Sequence, residues 1–188
     1  MKEFLENQIF TAPFLASLIV EIVGGLLFLF VLLFLLRPKV SIGQQIAKHT
    51  DSFDPSRRMC WVFKVVNESY FSAFDVQVEL MEQITYAAHP SGNNIRVFPI
   101  ALKLDRVTHV APCRPSWIGI YKNYSDYAMR FRTYVDLDAV LNDPTKSLQL
   151  KVTLRHGLTG LVKIQMQQFI GVAIKNGQFV LGNKFDIL

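Results

Sequence analysis

Arg130 and Arg132 stand two residues apart in the alternating segment 129–135, so they share the polar face of one strand with Tyr134. Two cations on one strand face can hold an anion or a partner's carboxylates. The plainer reading is a solvated face paired to acids across the sheet. A second basic set, Arg37, Lys39 and Lys48, follows a long apolar run and suits anionic lipid headgroups. The third feature is Glu21, a carboxylate inside that apolar run. An acid at the centre of a membrane helix costs about 2.5–3.5 kcal/mol on insertion scales, and less nearer the interface. Glu21 either snorkels to the outer interface or faces the interior of a helix bundle. Glu21, Gly25 and Phe28 fall on one helical face, and the pair Gly24-Gly25 permits close backbone approach between copies.

Residues for other chemistries are scattered. The four histidines, His49, His89, His109 and His156, lack metal-ligand spacing, so no metal site is expected. Asp136 and Asp138 read as a helix cap and an exposed acid rather than a catalytic pair. Gly157-Leu158-Thr159-Gly160 lacks the Lys and helix of a phosphate loop and reads as a strand connection. No nucleophile elbow is present. The expectation is a protein without catalytic residues or cofactor. Cys60 and Cys113, the only cysteines, do not form a disulfide framework, and Cys60 reads as core. Two sequons, Asn67-Glu68-Ser69 and Asn123-Tyr124-Ser125, read as chance matches.

The elements that position these residues begin with the apolar run 14–36, interrupted only by Ser17, Glu21 and Gly24-Gly25. At about 1.5 Å per residue it crosses the ~30 Å hydrocarbon core of a bilayer. It is too long for a signal-peptide h-region, and Lys2 with Glu3 and Glu6 makes no positive n-region. Arg37, Lys39 and Lys48 outweigh Lys2, which orients the C-terminal part to the cytoplasm. The expected division is a short extracytoplasmic N-terminus at 1–13, the membrane helix at 14–36, a juxtamembrane linker at 37–57 and a folded domain at 58–188. Within the linker, Ser41-Ile42-Gly43-Gln44 reads as a capping box opening one amphipathic turn with Ile46 and Ala47. Residues 1–36 hold one Lys and three Glu, so the remainder of this +5 chain carries +7. That charge draws the domain to anionic surfaces; it contains no dense Lys/Arg block, and no nucleic-acid partner is expected.

Alternation predicts strands at 74–80, 129–135 and 148–155, a more buried strand at 59–66, and further strands at 95–104 and around Val162, Ile164 and Met166. Pro99 makes 95–104 an edge strand. Asn176-Gly177 predicts a hairpin between 171–175 and 178–181. One helical turn is expected at 136–141, ended by Asn142-Asp143-Pro144. Short strands with turn signals, and no long helices between them, predict an all-β immunoglobulin-like antiparallel sandwich preceded by one transmembrane α-helix.

In this order of patterns, residues 30–182 resemble the last membrane helix and cytoplasmic domain of inward-rectifier potassium channels. The features that carry the resemblance are Arg37-Pro38-Lys39, Phe63-Lys64-Val65-Val66-Asn67, the alternating 74–80, and Phe98-Pro99-Ile100 running to Ala111-Pro112. The resemblance implies an immunoglobulin-like cytoplasmic domain, a tetramer, and lipid sensing at Arg37 and Lys39. A first membrane helix, a pore helix and a Gly-Tyr-Gly filter are missing, so potassium conduction is not implied.

The leading expectation is a non-enzymatic, single-pass membrane protein that self-associates through its helix and binds a small anion or a protein partner. Two alternatives stand beside it. One is a membrane effector that senses a small anionic signal, such as a nucleotide, and permeabilises the membrane, as in antiviral defence. The other is an accessory subunit of a channel or transporter.

Overall fold

The computed structural model describes residues 12–89, 92–113 and 126–188. It divides into an N-terminal unit ending at Arg37 and a second unit, Pro38–Leu188.

The first unit is one helix, α1 (Ala12–Leu35). Its stretch Pro13–Phe34, 22 residues, is long and apolar enough to cross a membrane, and none of it is buried within the protein. At about 1.5 Å per residue that is roughly 33 Å. No polar stripe runs along it.

The second unit is mostly β-sheet, in two sheets over one core. In the first sheet, β1 (Val40–Ile42) and β2 (Ile46–Thr50) lie end to end along one edge of β3 (Met59–Asn67). Strand β7 (Ala128–Thr133) pairs the other edge of β3. In the second sheet, β4 (Ala73–His89) pairs β5 (Gly92–Ile100) and β6 (Arg106–Val110) along one edge. Its other edge takes β8 (Lys146–His156), which pairs β9 (Val162–Phe169). Trp61, Phe63 and Val65 of β3 meet Val76, Val78 and Leu80 of β4 and Leu148, Leu150, Val152 and Leu154 of β8 in the core. These are the alternating positions that the sequence places on one face. The turn at 136–141 is α2 (Leu137–Leu141), capped by the Asp136 carboxylate accepting from the Asp138 N–H.

Three expectations are corrected. The linker at 37–57 and its helical turn are not formed; β1 and β2 occupy that stretch and belong to the sheet. Val40, Ile42, Ile46 and Ala47 are buried because β3 supplies hydrogen-bond partners that a lone turn would lack. The hairpin at Asn176-Gly177 does not form either. β10 (Ile174–Asn176) runs parallel to β2, so the fold is not wholly antiparallel. Gly177, at φ 128°, donates to the Lys48 carbonyl and lies against the Leu188 carbonyl, where a Cβ has no room. The chain then folds back so that Gln178 and Val180 pair with Leu188 and Asp186. Finally, the strand expected at 95–104 ends at Ile100, with Pro99 on the edge as expected, and β6 follows as a strand that alternation did not mark.

Leu150 is fully buried where both sheets meet. Leu150→Ala is expected to lower unfolding stability by about 2–5 kcal/mol, whereas Phe53→Ser, on a side chain 86% exposed, should change it by less than about 0.5 kcal/mol. Denaturant unfolding followed by the fluorescence of buried Trp61 measures both; equal effects would place Leu150 outside the core.

Candidate anion-binding site

β3 is buried on both faces. Its inner face carries Trp61, Phe63 and Val65; its outer face carries Cys60, Val62, Lys64 and Val66. The C-terminal segment covers the outer face, with Phe179 and Ile187 packed on Ala47, Cys60 and Val62. Lys64 is therefore enclosed, at 1% exposure. Its ammonium donates to the carbonyls of Val180 and Lys184, both at 2.6 Å. The rings of Phe179 and Phe185 lie 5.9 and 6.0 Å from it.

Register places Arg130 of β7 directly opposite Lys64. Like charges facing across a strand pair repel. Arg130 donates to the Phe179 carbonyl at 2.8 Å. Among the described residues no carboxylate forms an ion pair with either cation. Burial, and then the nearby Arg130 charge, push the Lys64 ammonium down from its ordinary value of 10.5 to about 8; Asp186 opposes this. A cavity of about 300 Å³ opens beside them, lined by Lys64, Ala128, Arg130, Leu181 and Gly182. A charged lysine has three N–H donors, and only two are taken by carbonyls. The site thus offers one ammonium proton and a guanidinium fork to an acceptor of negative charge.

Arg132 shows the opposite outcome. It donates to Asp51 at 2.9 Å, and Tyr134 donates to the same oxygen at 2.8 Å. Asp51 is 1% exposed. The Tyr134 hydrogen bond first, and then Arg132, hold its carboxyl well below the usual carboxylate range. Arg132 thus ties β7 to the turn after β2.

Lys48 is paired as well. It lies on β2, 2.9 Å from Asp138, with its ammonium 5.5 Å from the Trp61 ring centre. Arg37 and Lys39 are exposed. The helix residues Glu21, Gly24, Gly25 and Phe28 are exposed along α1, and both glycines have open space where a Cβ would stand. Lys64 was not singled out by sequence. Its one signal is position: a lysine inside the apolar run 60–66, in a strand with no polar face.

Other groups fall into structural roles. The Asn67 amide is buried, donating to the carbonyls of Phe71 and Ala111, while its oxygen accepts from the Ser69 N–H. It holds the β3–β4 connection and has no room for a glycan. Asn123 lies outside the described residues. Cys60 is core, and burial raises its thiol pKa. No cluster of three metal-ligating side chains occurs among the described residues.

Lys64 gives a pH test. Its folded-state pKa lies below its unfolded value, so between about pH 8 and pH 10.5 the unfolded chain holds a proton that the folded chain has released. Stability should therefore rise through that window, by at most about 1.4 kcal/mol per pH unit, and the burial penalty should be fully present below it. The melting temperature of the wild type minus that of Lys64→Met should increase from pH 8 to pH 10.5. A flat difference would show that Lys64 keeps its ordinary pKa.

No family model matches the chain, and no curated protein matches it. Solved structures give distant likenesses. Spo0M, a sporulation control protein from Bacillus subtilis, aligns with a TM-score of 0.38 and 11% identity over 71% of this chain and 49% of that one. The chain thus spans about half the length of the Spo0M structure. A putative ApaA protein from Bordetella pertussis aligns with a TM-score of 0.34 and 8% identity, over 72% of this chain and 94% of that one.

Proposed function

We propose that this protein is a non-enzymatic, single-pass membrane-anchored binding module. Its sandwich, immunoglobulin-like in our reading, faces the cytoplasm and takes a small anion at Lys64 and Arg130. Arg37, Lys39 and Lys48 against Lys2 support the orientation. That rule acts on the chain as it inserts, so the later pairing of Lys48 with Asp138 does not remove Lys48 from the count. Two facing sheets with β3 and β4 at their centres support the fold reading.

The observation that carries the anion reading is that, among the described residues, no carboxylate contacts the Lys64 ammonium, Asp186 acting on it without an ion pair. A buried ammonium without a contacting counter-ion is costly, and here its cross-strand neighbour is a second cation. A phosphate-sized anion in the adjoining cavity relieves both. Anion binding also favours the charged lysine, so affinity should fall as pH rises above about 8.

The test is thermal melting of the full-length protein in detergent with inorganic phosphate, pyrophosphate or nucleoside phosphates, against chloride at equal ionic strength. A ligand at 100 times its Kd adds about 2.7 kcal/mol. A saturable rise is expected near neutral pH, weakened by Arg130→Gln and lost above about pH 8. The same rise in Arg130→Gln and Lys64→Met, or no rise with any of these anions, would overturn the site.

Self-association of α1 is a second part of the reading. It is favoured by the open space at Gly24 and Gly25 and by Glu21 four residues before Gly25. Packing in lipid depends on close approach and polar contacts. Gly25→Leu and Glu21→Leu should each lower the oligomer population in detergent, seen by crosslinking, and neither should change the melting of the sandwich. A wild type that stays monomeric at every protein-to-detergent ratio would leave Glu21 as a snorkelling residue.

A further inference from the structure

We infer that one end of the sandwich, carrying Lys39, Tyr70, Phe71 and Leu158, is a foot that sits in the headgroup layer of the membrane that α1 crosses. This rests on the reading of α1 as a membrane span and is separate from the anion site.

The first observation is a clamp. The Lys39 N–H donates to the Ser69 hydroxyl at 2.8 Å, the same hydroxyl donates to the Lys39 carbonyl at 3.2 Å, and the Glu68 N–H donates to that carbonyl at 3.0 Å. Lys39 is thus fixed to the β3–β4 connection. Buried Asn67 stiffens this connection through its bonds to Phe71, Ala111 and Ser69. The second observation is reach. Lys39 follows the last residue of α1, Leu35, by four residues, and four residues span at most about 14 Å. A helix that ends at the hydrocarbon boundary therefore holds Lys39, and the connection clamped to it, in or beside the interfacial layer.

The third observation is what that end displays. Tyr70 is 75% exposed and Phe71 37%. The Phe71 ring stacks edge-on against His156 at 5.2 Å. The β8–β9 turn starts there; its Gly157 N–H donates to the Ser72 carbonyl, and Leu158 at its tip is 62% exposed. Lys39 and Glu68 are exposed beside these aromatic and aliphatic side chains. At a membrane boundary the rings and the lysine fit, because aromatic rings partition to the headgroup level and lysine meets anionic lipid.

The opposite end of the sandwich supplies a control. Phe53 sits in the turn closed by the Asp51 N–H donating to the Arg58 carbonyl, just before β3 begins. The length of β3, from Met59 to Asn67, separates it from Asn67, roughly 26 Å along the strand.

The experiment places single Trp probes in the full-length protein in anionic nanodiscs. Their lipids are brominated either near the glycerol end or near the chain ends, and the parent protein's own quenching is subtracted. Val23→Trp reports the span, Tyr70→Trp the foot, and Phe53→Trp the far end. Val23→Trp should lose emission to the deep bromines. Tyr70→Trp should be blue-shifted and lose emission chiefly to the shallow bromines, and Phe53→Trp should lose none to either. Replacing the anionic lipid by neutral lipid should reduce the Tyr70→Trp loss, and so should Lys39→Gln. Tyr70→Trp behaving like Phe53→Trp while Val23→Trp is quenched would overturn the foot and leave the span standing. A Val23→Trp probe that is not quenched would overturn the span itself. A blue shift at Tyr70→Trp that ignores bromine and grows with protein density would assign this end to a second copy of the chain, and would also overturn the lipid assignment.

Discussion

The burial of β3 on both faces is the constraint from which the rest follows. A strand with a neighbour on each edge and a layer on each side leaves its side chains from Cys60 to Asn67 without a route to water. Lys64 falls on such a strand. Its stem lies among apolar atoms and its ammonium must find acceptors locally. The C-terminal segment supplies two carbonyls, and so the lysine holds that segment in place as well as being covered by it. Two carbonyls match the two N–H donors of a neutral amine. They leave one proton of the ammonium over, which is consistent with the direction of its pKa.

The comparison of Arg130 with Arg132 shows what decides between clamp and site. Both point from β7 to the same side of the sheet, two residues apart. Arg132 meets buried Asp51, whose negative charge is also stabilised by Tyr134 and, at 3.6 Å, by Lys103. There the guanidinium already has a buried carboxylate as its partner. Arg130 meets a second cation across the strand pair and a backbone carbonyl. Both residues are arginines on the same face, so their type cannot separate them; what separates them is which acid the tertiary fold brings.

This also explains what the sequence could disclose. The strands around Leu148, Leu150, Val152 and Leu154, and around Val76, Val78 and Leu80, were legible because one face is wet and one dry, which writes a period of two into the chain. The Asp136 cap was legible because capping is local. β1 and β2 were not, because strands of three and five residues take their hydrogen bonds from β3 and carry little pattern alone. Asn176-Gly177 misled for the same reason. Gly177 is needed there for close approach to Leu188, a contact set by the fold. Lys64 was invisible as a site because a lysine in an apolar strand reads as one outward-facing position until the second covering layer is known.

β3 links the parts of the molecule to which a function is assigned. Its Asn67 end adjoins the Lys39 clamp, where the chain arrives from α1, and Lys64 lies three residues away, roughly 10 Å along the strand. In the proposed reading, an anion accepting a hydrogen bond from Lys64 would act on the strand whose Asn67 end pairs with β1. Any coupling between anion binding and helix association is a free energy, and it is reciprocal. If anion occupancy favours helix assembly by some factor, assembly must raise anion affinity by the same factor. A ligand with equal affinity for the assembled and separate forms would shift nothing, however tightly it bound. Both halves of that balance can be read only where α1 and the sheet unit are in one chain.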